Sequence, residues 1–279
     1  MTSLLAIKTL ATIAILAVAI IGGIIPLLMT RHHASHRFFS LGNSFAGGIF
    51  LGAGFIHLLP EAAESLEDVS EYPLAALLAA VGVALLLLID RVVFQAPVEI
   101  SSSKRNNPVY PYILLVVLST HSVIAGVALG LQSEVVTSIF VMVAILCHKG
   151  SAAFALIVSM VASGADRGRL RGVLAIFAAM TPLGIVLGTV ASGLLESTTA
   201  VLIEASFNAL AAGTFIYVAI LDVINTEMSS IDDRVAHFVR SAMIGEDDVP
   251  MPVEDHDRGL KFFLVLVGFI GMAVIAVWA

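Results

Sequence analysis

A chain of 279 residues that is 59% hydrophobic and 13% charged, with a mean hydropathy of +1.02, falls outside the ordinary soluble classes. Its net charge of −7 says little about partners, because the charges are segregated by side; no nucleic-acid partner is expected, and the single cysteine, Cys147, excludes an intrachain disulfide. What remains is an all-α, polytopic membrane protein, read as one membrane domain over residues 1–279.

Eight apolar stretches lie at 4–29, 41–60, 74–94, 110–132, 135–163, 172–195, 200–224 and 260–278. Each is long enough to cross a hydrocarbon core of about 30 Å. Backbone groups in lipid must be paired within their own segment, and no stretch alternates as a strand does, so all eight predict helices. The first is not a signal peptide. Its apolar run over 9–29 is too long, and Thr30-Arg31-His32-His33 offers no small-residue cleavage site. The second closes on His57 and Glu61, one helical turn apart on one face, a spacing that suits a pair of cation ligands at the mouth of a path. Interfacial solvation accounts for them almost as well. The third ends on Asp90 and Arg91, read as interfacial.

The fourth and fifth stretches carry polar groups at membrane depth. His121 and Ser122 precede Gly126 and Gly130 in the fourth; Cys147, His148 and Lys149 lie mid-run in the fifth. Such groups usually face a cavity, a partner or a cargo. Neutral imidazole is a common ligand of first-row metals, and two on consecutive antiparallel helices can converge on one ion. The bland alternative is two histidines bonded to carbonyls in a polar helix contact. In the sixth stretch Pro182, after Thr181, removes a backbone donor and leaves a carbonyl free. The seventh holds Asn208 near one end and Asp222 near the other. The segment 225–259 then carries an amphipathic pattern over 231–244 and an acidic run.

Of 14 Lys and Arg, 12 fall in or beside alternate connections, between stretches 1 and 2, 3 and 4, 5 and 6, and 7 and 8. The positive-inside rule places those connections in the cytoplasm and both termini outside it. Lys8 and Lys149 are left over. An echo joins Ser44-Phe45-Ala46-Gly47-Gly48-Ile49-Phe50 to Asn208-Ala209-Leu210-Ala211-Ala212-Gly213-Thr214-Phe215. It fits a 3+2+3 inverted repeat around the central pair, with cargo at the repeat interface; small-residue packing explains it without symmetry.

The string from His121 to Gln132 closely resembles the fourth-helix signature of the ZIP (Zrt/Irt-like) metal transporters. So do 45–61, His148-Lys149-Gly150, Met180-Thr181-Pro182-Leu183-Gly184 and 210–217, in order along the chain. The resemblance implies uptake of divalent cations toward the cytoplasm, Zn²⁺ or Fe²⁺ as cargo with no cofactor, by a homodimer in the plasma or inner membrane. It places the metal on His121, Ser122 and His148, with His57, Glu61, Asn208 and Asp222 along the path. The chain departs from the family where glutamate is usual at Ala125 and Asn208, where a carboxylate is frequent at Ala152, and where some relatives have glutamate at Thr181. Two other classes stay open: an intramembrane zinc hydrolase using His121, His148 and Asp222, and a ZIP-fold sensor with altered or no cargo.

Overall fold

The computed structural model describes residues 2–29, 36–67, 69–93, 110–192, 197–229, 235, 239 and 255–277. The eight apolar stretches form helices α1 to α8. They are α1 (Thr2–Met29), α2 (His36–Gly52, a π-helical turn Ala53–Leu58, then Leu59–Glu67) and α3 (Leu74–Leu88, with a π turn Ile89–Val93). There follow α4 (Tyr110–Leu131), α5 (Val135–Ala162), α6 (Arg167–Ala191), α7 (Ser197–Tyr217, a π turn Val218–Ile224, then Asn225–Glu227) and α8 (Arg258–Ile275). Among the described residues, seven are long and apolar enough to cross a membrane; α3 reaches comparable length only through its π turn. Helices α2 and α7 run past the predicted 41–60 and 200–224, because polar turns extend each apolar run. The amphipathic segment at 231–244 lies outside the described residues, apart from Val235 and Val239, which are helical and exposed.

The surface is apolar, as a lipid-facing surface must be: Val116 is 64% exposed and Val190 65%. Two groups of helices share the interior. In one, α4 packs closely on α6, and α1 on α5 and α6; in the other, α2 packs on α8 and α3 on α7. The groups meet where α2 crosses α5 and α4 meets α7. Small residues set these contacts. Gly126 and Gly130 of α4 lie against Gly184 and Gly188 of α6, where a Cβ on Gly184 would overlap the Val123 carbonyl.

The pattern is twofold. Exchanging α1 with α6, α2 with α7, α3 with α8 and α4 with α5 turns the α1–α5 contact into α6–α4, α2–α8 into α7–α3, and α2–α5 into α7–α4. Ala19, Gly23, Asn43, Gly48, Phe50 and Ala53 stand 165 positions before Gly184, Gly188, Asn208, Gly213, Phe215 and Val218. The π turns of α2 and α7 thus begin at matching places. Buried Ala75, Ala79, Gly82 and Leu86 of α3 match buried Lys261, Val265, Gly268 and Met272 of α8. Between α7 and α8 the spacing grows to 186, so the extra residues fall in the 225–259 segment. The echo noted in the sequence is therefore part of a repeat that spans three helices.

The α5–α6 turn is closed from both sides. Gly164, at φ +78°, donates to the Val161 carbonyl while Ala165 donates to that of Met160, the paired bonds of a glycine helix stop. Asp166 then caps α6 by accepting from the backbone N–H of Gly168 and Arg169. The bond from Arg169, before the other contributions, holds its carboxyl below the usual range. This cap is complete above the ordinary carboxylate range and is lost as pH falls through the lowered value.

The close α4–α6 approach yields a paired prediction. Gly184→Val should destabilise the detergent-solubilised protein by about 1–3 kcal/mol or more, read as a lowered thermal midpoint. Gly172→Ala, where an added Cβ meets nothing within 4 Å, should leave the midpoint unchanged or raise it.

Candidate metal site

Helices α4 and α5 bring His121 and His148 together, their ring centroids 5.6 Å apart. Both residues are 4% exposed. Phe215 of α7 closes over them, with its centroid 4.6 Å from His121 and 6.3 Å from His148. Phe50 of α2 lies 5.5 Å beyond it. Since Phe50 and Phe215 are repeat mates, the histidine pair sits beside the pseudo-axis, where the two helix groups meet.

Neither ring nitrogen of His121, nor Nδ1 of His148, nor the hydroxyl of Thr181 has a hydrogen-bond partner. An orphaned buried polar group costs about 1–3 kcal/mol, so a cluster of them is not neutral filler. Free imidazole lone pairs are what a metal cation takes. The bland alternative, in which both histidines bond to carbonyls, is not what His121 does.

The adjacent residues turn about 100° away round their helices and do something else. The Lys149 ammonium donates to Ser122 Oγ at 2.8 Å and to the Phe177 carbonyl at 3.1 Å, and lies 3.6 Å from the centre of the Phe177 ring. Ser122 in turn donates to the Leu118 carbonyl at 2.6 Å. The accepting carbonyl is next to that of Ala178, whose helical N–H donor Pro182 removes. Lys149 is thus fully satisfied between α4, α5 and α6 while 2% exposed. Ser122, expected on the metal, is engaged with lysine.

His57 lies in the π turn of α2, its Nδ1 3.9 Å from Glu61 Oε2. It is within electrostatic reach of both buried histidines. Glu61 feels the like charges of Glu64 and Glu204. Glu204, one turn before buried Asn208 on α7, was passed over in the sequence although an acid inside an apolar run was its signal. Asp222 takes the α7 π-turn position 165 after His57, toward the other end of the helix. Ala125 packs with Leu129 and Ile145, and Ala152 is buried in the main core, so the usual carboxylate positions are apolar. Among the described residues, no three His, Cys, Asp or Glu side chains converge.

Two buried imidazoles, three of whose four ring nitrogens are unpartnered, in a bundle of apolar helices suit a membrane transporter of divalent metal cations. The chain belongs to the ZIP zinc transporter family, whose model matches residues 5–111 and 99–276. It is 26% identical to Zinc transporter ZIP2 of Mus musculus over 337 aligned positions covering all of both chains. It is 28% identical to Zinc transporter ZIP1 of Takifugu rubripes over 283, covering 82% of this chain and 92% of that one. Protein zntD of Dictyostelium discoideum is 31% identical over 179 residues, which cover 63% of this chain and 22% of that protein.

The lysine anchor is open to test. Ser122→Ala removes one of the two acceptors of a buried ammonium and should cost about 1.5–3 kcal/mol, read as a lower thermal midpoint. Ser122→Thr, which keeps the hydroxyl, should lose much less.

Proposed function

We propose that this transporter carries divalent cations, Zn²⁺ first among them, toward the cytoplasm through the His121–His148 pair. The observation that carries this reading is the pair itself: two buried imidazoles 5.6 Å apart, with both nitrogens of His121 and Nδ1 of His148 unpartnered, at the junction of the two helix groups. Cations gather at Glu61, Glu64 and Glu204, pass His57, bind the pair, and leave past Asp222. The positive-inside rule supports this direction, since it favours the Arg-rich connections in the cytoplasm and both termini outside. As the family resemblance implies, the working unit is a homodimer in the lipid bilayer. Asn208, buried on α7 one turn after Glu204, offers a neutral oxygen in place of the family's usual acid.

The site holds its cargo loosely. Four-coordinate Zn²⁺ takes two ligands from the histidines, and water supplies the rest. No carboxylate offsets the cation's lost hydration, and the Lys149 charge opposes it. These two facts favour softer ions that accept nitrogen ligands.

Zn²⁺ uptake into proteoliposomes should fall at least about tenfold, or 1.4 kcal/mol, in the His121→Ala/His148→Ala protein. Undiminished uptake removes the pair from the mechanism. Ala125→Glu should tighten Zn²⁺ binding by a similar factor, read by calorimetric titration. Unchanged affinity would sink the explanation from missing carboxylates.

A further inference from the structure

Helices α3, α4 and α7 leave a groove of about 440 Å³ at the junction of the two helix groups. It runs along α4 from Tyr112 to Ile124, faced by Leu85 of α3 and Phe207 of α7. Among the described residues, α3 and α4 look across it without close packing. A smaller void beside Asp90 and Tyr217 shares Leu86 and Ile113 with the groove, so the seam stays unfilled from Asp90 to His121. Its side is open on the outer, apolar surface of the bundle, where Leu85 is 43% and Phe207 44% exposed.

The lining is mostly hydrocarbon, and two of its hydroxyls are already engaged. Thr120 donates to the Val116 carbonyl at 2.9 Å and Thr214 to the Ala211 carbonyl at 2.8 Å, each within its own helix. His121 meets the deep end with both ring nitrogens unpartnered. A polar head placed there would take the lone pairs that a cation needs, whereas a hydrocarbon end leaves them free. The polar end of an occupant therefore belongs at Tyr112, near the start of α4.

Shape narrows the choice further. Spread over the roughly 18 Å between Tyr112 and Ile124 along α4, 440 Å³ leaves a section of about 25 Å². A helix, about 10–12 Å across, cannot enter such a slot, which excludes a helix from a second copy or another protein. A single hydrocarbon chain, whose carbons meet their neighbours at about 3.5–4.0 Å, fits it. The sequence that joins α3 to α4 at the Tyr112 end carries Arg91, Lys104 and Arg105 against Asp90 and Glu99, and Asp90 accepts a bond from the Tyr217 hydroxyl. That excess of basic residues suits an anionic headgroup.

We propose that the groove is a phospholipid site: one acyl chain fills it from Tyr112 to His121, with an anionic headgroup at the Tyr112 end. The bilayer then supplies the wall beside His121 that the protein leaves open. The same chain wedges the junction between α4 and the facing α3 and α7. The site holds whether or not a cation is moved.

The test reconstitutes the full-length protein with phosphatidylglycerol that carries a diazirine at the end of one chain. After irradiation, adducts are mapped by peptide mass spectrometry. Those on His121, Ile124 and Phe207 should saturate as the labelled fraction rises. Those on Val190, 65% exposed on α6 and outside the groove, should rise in proportion to it. A diazirine placed beside the headgroup should shift the groove adducts to the Tyr112 end. Val116→Trp and Thr120→Trp each enlarge an exposed side chain over the groove. Each should cut the Ile124 and Phe207 adducts about tenfold and spare Val190, and either serves should the other fail to fold. Unlabelled phosphatidylglycerol should displace the probe at about a tenth of the phosphatidylcholine concentration. Groove adducts that never saturate, or that survive the tryptophans, overturn the site. So do identical adducts from the two probes, or equal displacement by the two lipids.

Discussion

A polar group at membrane depth has no water to turn to, and so it must find its partner within the protein. That constraint sorts the few polar side chains of this chain. Lys8 donates to the Gly130 carbonyl at 2.5 Å and closes the end of α4. Tyr217 donates to Asp90 at 2.7 Å, tying α7 to α3. Lys149 is shared by α4 and α6, and Lys261 joins α2, α7 and α8. Each is structural because it is satisfied. His121 has both ring nitrogens unpartnered, and His148 Nδ1, Asn43 Oδ1 and the Ser119 and Thr181 hydroxyls are also without a partner.

The small residues make this sorting effective. Where Gly126 and Gly130 meet Gly184 and Gly188, α4 and α6 come close enough for Lys149 to bridge them. Within each helix group the contacts are tight and built on glycine. Between the groups they are fewer, and the histidines and both phenylalanines lie along that seam, while the π turns of α2 and α7 pack on α2, α7 and α8 within one group. A π turn places side chains out of register with an ordinary helix and is common at functional sites. Here the two turns carry His57 and Asp222, one in each half of the repeat.

Much of this was legible in the chain. The apolar runs gave the eight helices, since hydrophobic length is read directly against bilayer thickness. His121 and His148 stood out because polar residues were so scarce around them. The echo between 44–50 and 208–215 was visible, but its extension through α3 and α8 was hidden by the change of spacing after α7. The π turns left no local signature, so the role of their positions had to come from the fold. Ser122 was read as a metal ligand from its place in a motif. The sequence could not show that the neighbouring lysine, 27 residues away, would take its hydroxyl. Glu204 and Glu227 drew no reading from the sequence, because only packing brings Lys261 of α8 against Glu227.

The central claim is that the cargo sits on the two imidazoles. Zn K-edge X-ray absorption of the reconstituted, Zn²⁺-loaded protein tests it most directly. The account predicts two imidazole ligands at about 2.0–2.1 Å with oxygen completing the shell, and loss of the imidazole scattering in the His121→Ala/His148→Ala protein. A shell made of oxygen alone, or imidazole scattering that survives that double substitution, would contradict it.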